Sequence, residues 1–376
     1  MAAIALEALP VPLDRSLLYV FVAGPGYGEG IAVALPGAGW ILVDGCEVSS
    51  HRLPILAVLD RWRASPASPD PIDALLLTHP HTDHAYGIRE LIEQTSPRHI
   101  GVTTSATEPA LIFSAIEKAT LASDPLDRLR RRIVVDAMLA IRRRFEAAPA
   151  HLIPLVEGAT VPLTSSPARA FIRAPDRDVV HARLSGGHGG DPNELSAVVE
   201  IVFGATRLVL GSDLPTVGSS GGVLAAGWNT VMARHPYLGA HHGLKIPHHG
   251  SPAAFHPELM TAGTERAWWV SPFNRGKRLP PTEPDGLPRL VSLNGRVRLT
   301  AIPRSRRTQP HHAEPAEIPL SALPALFAPM SPLLPGALSV VPPDVEPLDP
   351  IWCGAFDDQG TMRGAWRGTR AFTVIA

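Results

Sequence analysis

The chain has 376 residues, 45% of them hydrophobic and 18% charged, and its formal net charge is −1 at pH 7. This composition can supply a buried core, and the net charge does not favour a polyanionic partner. Two cysteines, Cys46 and Cys353, exclude a disulfide framework or a cysteine-based zinc module. No signal-like start and no apolar run of the ~18 residues that a membrane span needs are present, which predicts a cytoplasmic protein outside the membrane.

Three apolar runs near the start of the chain predict three successive strands, over 17–22, 30–35 and 40–44. The glycine-rich segment 24–30 joins the first two. A dinucleotide-binding loop passes from a strand into a helix, whereas this segment passes from one strand to the next. We therefore interpret it as a hairpin loop that borders a site, and Asp44 at the end of the third strand as a residue beside that site.

A further apolar run, 72–77, follows a predicted helix at 53–63 and indicates a buried strand. Directly after it come four ligand-type residues within six positions: His79, His81, Asp83 and His84. Imidazole and carboxylate groups together suit Zn, Mn or Fe. The alternation of His79 and His81 lets both converge on one ion, while Asp83 and His84 can hold a second. The turn is predicted to be a metal site rather than merely a polar loop.

Two later apolar runs also end in ligand-type residues. The run 208–212 leads to Asp213, and the run 244–246 leads to the pair His248 and His249. Between these parts of the chain, residues of about 108–148 predict two helices broken at Pro125. The second helix is rich in arginine: Arg128, Arg130, Arg131, Arg132, Arg142, Arg143 and Arg144. This helix either binds phosphate or a partner, or it is a solvated charged face.

The pattern H-x-H-x-D-H after an apolar strand resembles the metallo-β-lactamase-fold hydrolases, over residues of about 18 to 300. The resemblance implies an α/β fold, a four-layer αββα sandwich with two divalent ions, Zn or Mn, at one edge between the sheets. It makes Asp213 the carboxylate that bridges both ions and His248 or His249 the last ligand. His81 occupies the position where flavodiiron oxidoreductases have glutamate, which favours hydrolysis over redox chemistry.

Within this superfamily, the sequence Pro-His-His-Gly-Ser at 247–251 resembles the soluble domain of DNA-uptake (competence) channel proteins. That resemblance implies one metal site made by Asp83, His84, Asp213 and His248. The other site, with His79, His81 and Asp213, needs a fourth ligand, for which the candidates are water or one of His188, Asp191 and Asn193. It also implies substrate contacts from Asn274 and Arg275, and catalytic roles for Asp83 and His249, with the spare histidine protonating the leaving group or orienting a ligand.

The resemblance implies a metallo-β-lactamase-like domain at 1–301, with the helical insertion at about 108–148. The remainder, 302–376, is rich in proline and is predicted to be an extension. A terminal strand pair within 352–375 can dock back on the sandwich. The insertion and the extension are candidate surfaces for a protein partner.

The predicted function is a metal-dependent hydrolase that uses a metal-bound hydroxide, with a phosphodiester or nucleic acid as substrate. One alternative is a metallo-hydrolase of a carbonyl substrate, that is, a peptidase, amidase, lactonase or thioesterase. Another is a metal-bound, non-catalytic module of a multi-protein defence system. The fold alone does not separate these, because one scaffold hosts many reactions.

Overall fold

The structure is a computed structural model, and it describes thirteen stretches of the chain. They are residues 9–24, 28–48, 52–63, 70–103, 125–148, 151–184, 191–218, 226–261, 266–272, 278–280, 282–301, 317–322 and 346–376. The described strands form two sheets, and strands are numbered below in chain order.

The first sheet contains strands from both ends of the chain, in the order β16-β15-β1-β2-β3-β4-β5-β6. Strands β3 to β6 are parallel neighbours, and the others pair antiparallel. Their bounds are β1 (Leu18–Ala23), β2 (Gly30–Ala34), β3 (Trp40–Val43), β4 (Ile72–Leu77), β5 (His99–Val102), β6 (Leu152–Pro154), β15 (Ile351–Phe356) and β16 (Met362–Arg367).

The second sheet has the order β14-β17-β13-β12-β11-β10-β9-β8-β7, and β10 to β13 are parallel neighbours. Its bounds are β7 (Thr160–Val161), β8 (Arg169–Ala174), β9 (Val198–Phe203), β10 (Thr206–Leu210), β11 (Gly243–Lys245), β12 (Ala267–Val270), β13 (Arg296–Leu299), β14 (Glu317–Pro319) and β17 (Phe372–Ile375).

Helices cover the outer face of each sheet. The α-helices are α1 (Pro54–Trp62), α2 (Thr82–Ala85), α3 (Ile88–Thr95), α4 (Pro125–Ala147), α5 (Arg177–Leu184), α6 (Trp228–Arg234) and α7 (Leu287–Asn294). Short 3-10 helices span Pro192–Leu195, Pro236–Ala240, Pro247–Gly250, Pro252–Ala254 and Leu320–Ala322. The apolar sides of α1, α3 and α4 pack on the first sheet, and those of α6 and α7 pack on the second.

Strand β1 shows why the sequence builds four layers. Leu18, Val20 and Val22 point into the core between the two sheets. Tyr19 and Phe21 point the other way, into the core beneath α1. Because both faces are covered, the strand is apolar throughout instead of alternating with polar residues. The predicted four-layer αββα sandwich is therefore confirmed.

The helical insertion is described only in part. Its second predicted helix is α4, a single helix of 23 residues that begins at Pro125, as the predicted break requires. The first predicted helix lies in 104–124, outside the described residues. Among the described helices, none combines the length and the apolar character needed to cross a membrane.

The end of the chain contributes three strands, not the expected pair, and they enter both sheets. β15 lies between β16 and β1 in the first sheet, and β17 lies between β13 and β14 in the second. Strands on both sides of residue 301 thus share one sandwich, although the domain division itself stays a prediction. Residues 302–316 and 323–345, which hold most of the proline-rich segment, lie outside the described residues.

If β17 is part of the sandwich, truncating a core side chain there should cost as much as truncating one in any central strand. Phe372 is 0% exposed and packs among the residues under α6 and α7. We expect Phe372→Ala to lower the free energy of unfolding by ~3–5 kcal/mol in urea denaturation. Leu139→Ala, at a side chain 40% exposed on α4, is the control. Equal, small losses in both variants would contradict the placement.

Candidate metal centre

The ligand-type residues meet where three strands end. His79 and α2 follow β4 of the first sheet, whereas Asp213 follows β10 and His248 and His249 follow β11 of the second. β10 and β11 are parallel neighbours, so their carboxyl ends lie at the same edge. Hydrogen bonds join that edge to the end of β4: the Ser212 hydroxyl donates to Thr78 Oγ1 at 2.7 Å.

Three groups of potential ligands form there among the described residues. Glu29, Asp44 and His84 make one, and the other two share Asp213. Of these two, one is Asp83, His84, Asp213 and His249, and the other is His79, His81 and Asp213; within each group the ligand atoms lie within 4.8 Å of one another. In the four-residue group His84 Nε2 is 3.4 Å from Asp213 Oδ1, and His249 Nε2 is 3.3 Å from Asp83 Oδ2. Asp213 is 2% exposed. Its carboxylate is therefore placed to bridge two ions.

The unsatisfied atoms of the site fit a metal. His79 Nε2, His84 Nε2 and Asp213 Oδ1 are buried and make no hydrogen bond with a described residue, although the last two face each other at 3.4 Å. Buried polar atoms normally have a partner, so such a cluster of exceptions needs an explanation. The donors are imidazole nitrogens and carboxylate oxygens, a set that suits Zn or Mn. Divalent cations at the two groups would satisfy the atoms that the protein leaves open.

Asp44 fixes the orientation of this part of the site. The Thr78 N–H donates to Asp44 Oδ1 and the Thr78 hydroxyl to Asp44 Oδ2, both at 2.7 Å. His84 Nδ1 lies 2.7 Å from the same Oδ2. A carboxylate on one ring nitrogen sets the tautomer and aims the other nitrogen at the metal position. Asp44 thus lies where the sequence predicted, beside the site.

The backbone at the site is held in an uncommon conformation. Among the described residues, five other than glycine have a positive φ, and four of them are here: Asp44 at 55°, Ser212 at 45°, His248 at 48° and His249 at 54°. Left-handed backbone is unfavourable for residues with a Cβ, and it persists where surrounding contacts enforce it. The turns after β3, β10 and β11 are therefore shaped to present side chains inward.

Charge is distributed unevenly among the ligands. Burial opposes ionisation of Asp213, but His249 and His84 lower the pKa of Asp213 well below its usual range. Burial likewise opposes a charged His84, yet Asp213 and Asp44 raise the pKa of His84 well above its ordinary value. Burial, followed by the neighbouring imidazoles of His84 and His81, keeps the pKa of His79 well below its ordinary value. His79 is thus ready to bind a cation as a neutral ligand.

The structure distinguishes the two adjacent histidines. His249 belongs to the four-residue group, where the sequence analysis had placed His248. His248 Nε2 lies 3.8 Å from Asp213 Oδ2, outside both groups. The backbone is left-handed at both residues, and the His249 ring faces Asp83. Burial lowers the pKa of His248 to about 4, partly opposed by the charges of Asp213 and Asp191.

The other predicted site residues are only partly described. Asp191 is exposed and caps the 3-10 helix that contains Asn193, accepting from its N–H at 3.0 Å. Asn193 is buried, and its Oδ1 makes no hydrogen bond with the part of the chain that the structure describes. Asp191 does not join the His79 group, and a ligand role for Asn193 stays a prediction. His188, Asn274 and Arg275 lie outside the described residues, so their roles stay predictions.

The sequence did not predict the burial of two charged residues near the site, and Lys245, which as a lysine at a strand edge was expected to be solvated, is 0% exposed. Glu29, at the end of the glycine-rich loop, and Lys245, at the end of β11, are almost wholly buried and form an ion pair. A lysine inside an apolar strand that leads to two histidines was the only signal in the sequence.

The family comparison agrees with this geometry. A family model described as the metallo-beta-lactamase superfamily matches residues 31–208, a range that contains the H-x-H-x-D-H turn and ends on β10. The match covers less than half of the chain, and it agrees with the metallo-β-lactamase sandwich fold described above. Most members of this superfamily are metal-dependent hydrolases. No curated protein matches the chain.

Solved structures that are similar to the chain are distant. Zn²⁺-bound PqqB from Methylobacterium extorquens is 14% identical, with 61% of this chain and 71% of that one covered and a TM-score of 0.32. YhfI from Bacillus subtilis is 16% identical, with shares of 52% and 63% and a TM-score of 0.26. The metallo hydrolase Igni18 from Ignicoccus hospitalis is 10% identical, with shares of 64% and 87% and a TM-score of 0.27. These likenesses do not indicate a substrate.

Metal binding should compete with protons at this site. Burial lowers the pKa of His84 and of His249, but nearby carboxylates outweigh it and raise both above the ordinary ~6.5, so in the metal-free protein these rings hold protons more tightly than a free imidazole does. A cation must displace them, so its affinity should rise with pH above ~6.5 and fall below it. Zn²⁺ calorimetry in two buffers of different ionisation enthalpy measures the released protons. Affinity independent of pH, with no proton release, would contradict the assigned ligands.

Proposed function

We propose that the protein is a metal-dependent hydrolase that cleaves a phosphodiester. The observation that carries the proposal is the pair of histidine and aspartate groups that share Asp213, in which every member except the half-buried His81 is buried. Structural sites are usually closed by four protein ligands, whereas catalytic sites keep a position for water or substrate. The group of His79, His81 and Asp213 offers three protein ligands among the described residues. Three protein ligands leave a fourth coordination position for water or substrate, as in catalytic sites.

Divalent cations held there would supply Lewis acidity and lower the pKa of a water to ~7. The surrounding residues hold the ligand side chains in place. Asp44 and Thr78 hold the turn after β4, and Ser212 links it to the turn before Asp213. These hydrogen bonds keep the two ligand groups at a fixed separation. In a hydrolase, fixed positioning of this kind removes orientational cost from the reaction.

His248 is the best placed residue for proton transfer. It lies beside Asp213 without joining either ligand group, and its Nδ1 is buried without a hydrogen bond to a described residue. Because the pKa of His248 is lowered to about 4, its ring is neutral at neutral pH and can accept a proton from an attacking water. The proton-transfer role first assigned to His249 is therefore proposed for His248.

The sequence Pro-His-His-Gly-Ser at 247–251, with its resemblance to DNA-uptake channel proteins, favours a phosphodiester over a carbonyl substrate. A long nucleic acid is less favoured, because described arginines of α4 already have acidic neighbours. Arg142 Nε is 2.7 Å from Glu146, and Arg132 Nε is 3.7 Å from Asp136. Such pairs reduce the basic surface that polyanion binding needs. We therefore propose a small phosphodiester or the end of a strand as the substrate.

The ligand assignment predicts linked losses of metal and activity. His81→Ala and Asp213→Ala should each lower the bound metal, measured by elemental mass spectrometry. Each should also reduce phosphodiester cleavage by at least ~10²-fold, because these side chains bind the reactive cations. His151→Ala, at an exposed histidine outside both groups, should change neither quantity. Full metal content and turnover in both ligand variants would refute the site.

Substrate class can be decided with a panel. Protein loaded with Mn²⁺ or Zn²⁺ should cleave bis(p-nitrophenyl) phosphate faster than p-nitrophenyl acetate or a β-lactam, and His248→Ala should slow that cleavage without lowering the metal content. Faster cleavage of the carbonyl substrates would favour a lactonase, amidase or thioesterase. Degradation of single-stranded DNA would indicate a nuclease. Bound metal with no turnover of any substrate would favour a non-catalytic module.

A further inference from the structure

Glu29 and Lys245 form a buried ion pair next to the candidate metal ligand His249. Glu29 is 1% exposed and Lys245 is 0% exposed. Glu29 directly precedes β2 in the first sheet, and Lys245 ends β11 in the second, so the pair crosses between the sheets. Burying two charges is expensive, and an apolar pair of similar volume is often at least as stable. Stability alone therefore does not explain this pair.

The Glu29 carboxylate also faces a metal ligand. Its Oε2 lies 3.4 Å from His249 Nδ1, which also lies 2.9 Å from the Ser271 carbonyl oxygen. His249 Nε2, on the opposite side of the ring, faces Asp83 and Asp213. The ring is thus held at one nitrogen by acceptors while the other points into the ligand group. His84 is held in the same way by Asp44.

The backbone of the same loop contacts a second ligand. The Glu29 N–H donates to the Asp83 carbonyl at 3.0 Å. At the preceding position, Gly28 has a φ of 81°, and a Cβ there would lie 2.8 Å from the same carbonyl oxygen. Only glycine permits so close an approach with that backbone. Glu29 therefore contacts both ligands: its backbone N–H holds Asp83 of α2, and its carboxylate faces His249.

We propose that the Glu29–Lys245 pair is a positioning element that holds His249, through the Glu29 carboxylate, in the orientation that binds metal. The proposal rests on the metal centre of the proposed function. In this proposal the role of Lys245 is to offset the buried charge of Glu29. Without Lys245, Glu29 would be a buried carboxylate near Asp44 with no cation to offset its charge, and the cost of burying that charge would favour its leaving the site. The lysine makes a carboxylate tolerable at that position.

Double variants that remove both charges can show whether the pair orients His249 or only fills space in the core. Lys245→Met combined with Glu29→Met removes both charges and the acceptor for His249. Lys245→Met combined with Glu29→Gln removes both charges but keeps an acceptor oxygen. Zn²⁺ affinity is measured by chelator competition, and stability by urea unfolding of the metal-free protein. As the control, Glu200→Gln breaks a buried carboxylate's bonds to Arg173 and Arg207, away from the ligands.

We expect both double variants to unfold at a urea concentration near that of the wild type. The Met–Met variant should bind Zn²⁺ ~10–100-fold more weakly, as the loss of an orienting partner does at other sites, and the Gln–Met variant should recover part of that affinity. Glu200→Gln should lower stability and leave affinity unchanged. Wild-type affinity in the Met–Met variant would overturn the positioning role alone. Absence of Zn²⁺ binding by the wild type would overturn both this proposal and the metal centre.

Discussion

A buried negative charge on Asp213 is the constraint around which the site is built. A carboxylate at 2% exposure cannot stay ionised without cationic partners, because leaving water costs several kcal/mol. The structure supplies imidazoles from both sheets: His84 from the turn after β4, and His249 from the turn after β11. The pKa of each ring is raised in the metal-free protein, which favours protons that offset this charge, and divalent cations would replace those protons.

Support for the ligands comes from carboxylates, one for each histidine of the four-residue group. Asp44 holds His84, and Glu29 with Ser271 holds His249. Both carboxylates need compensation in the dry interior. Asp44 receives hydrogen bonds from Thr78, and Glu29 receives the charge of Lys245. Neutral hydrogen-bond donors thus stabilise the buried charge of Asp44, and a cation stabilises that of Glu29.

The sequence was sufficient for the four layers and for most ligands, because those depend on local patterns. The H-x-H-x-D-H turn and Asp213 each follow an apolar strand, and strand ends are visible in a sequence. The choice between His248 and His249 was not visible, because it depends on two successive left-handed residues. Glu29 was also missed, since its partner Lys245 is more than 200 positions away in the chain and only the folded sheets bring them together.

The place of β15 has a consequence for synthesis on the ribosome. Leu18 pairs with Phe356, so this edge of β1 stays open until synthesis has reached β15. An exposed apolar strand edge invites pairing with other chains, and contacts so distant in sequence form slowly. The nascent protein should therefore depend on protection during translation. Its ligand groups need both sheets and so cannot assemble before β11 and His249 have been made.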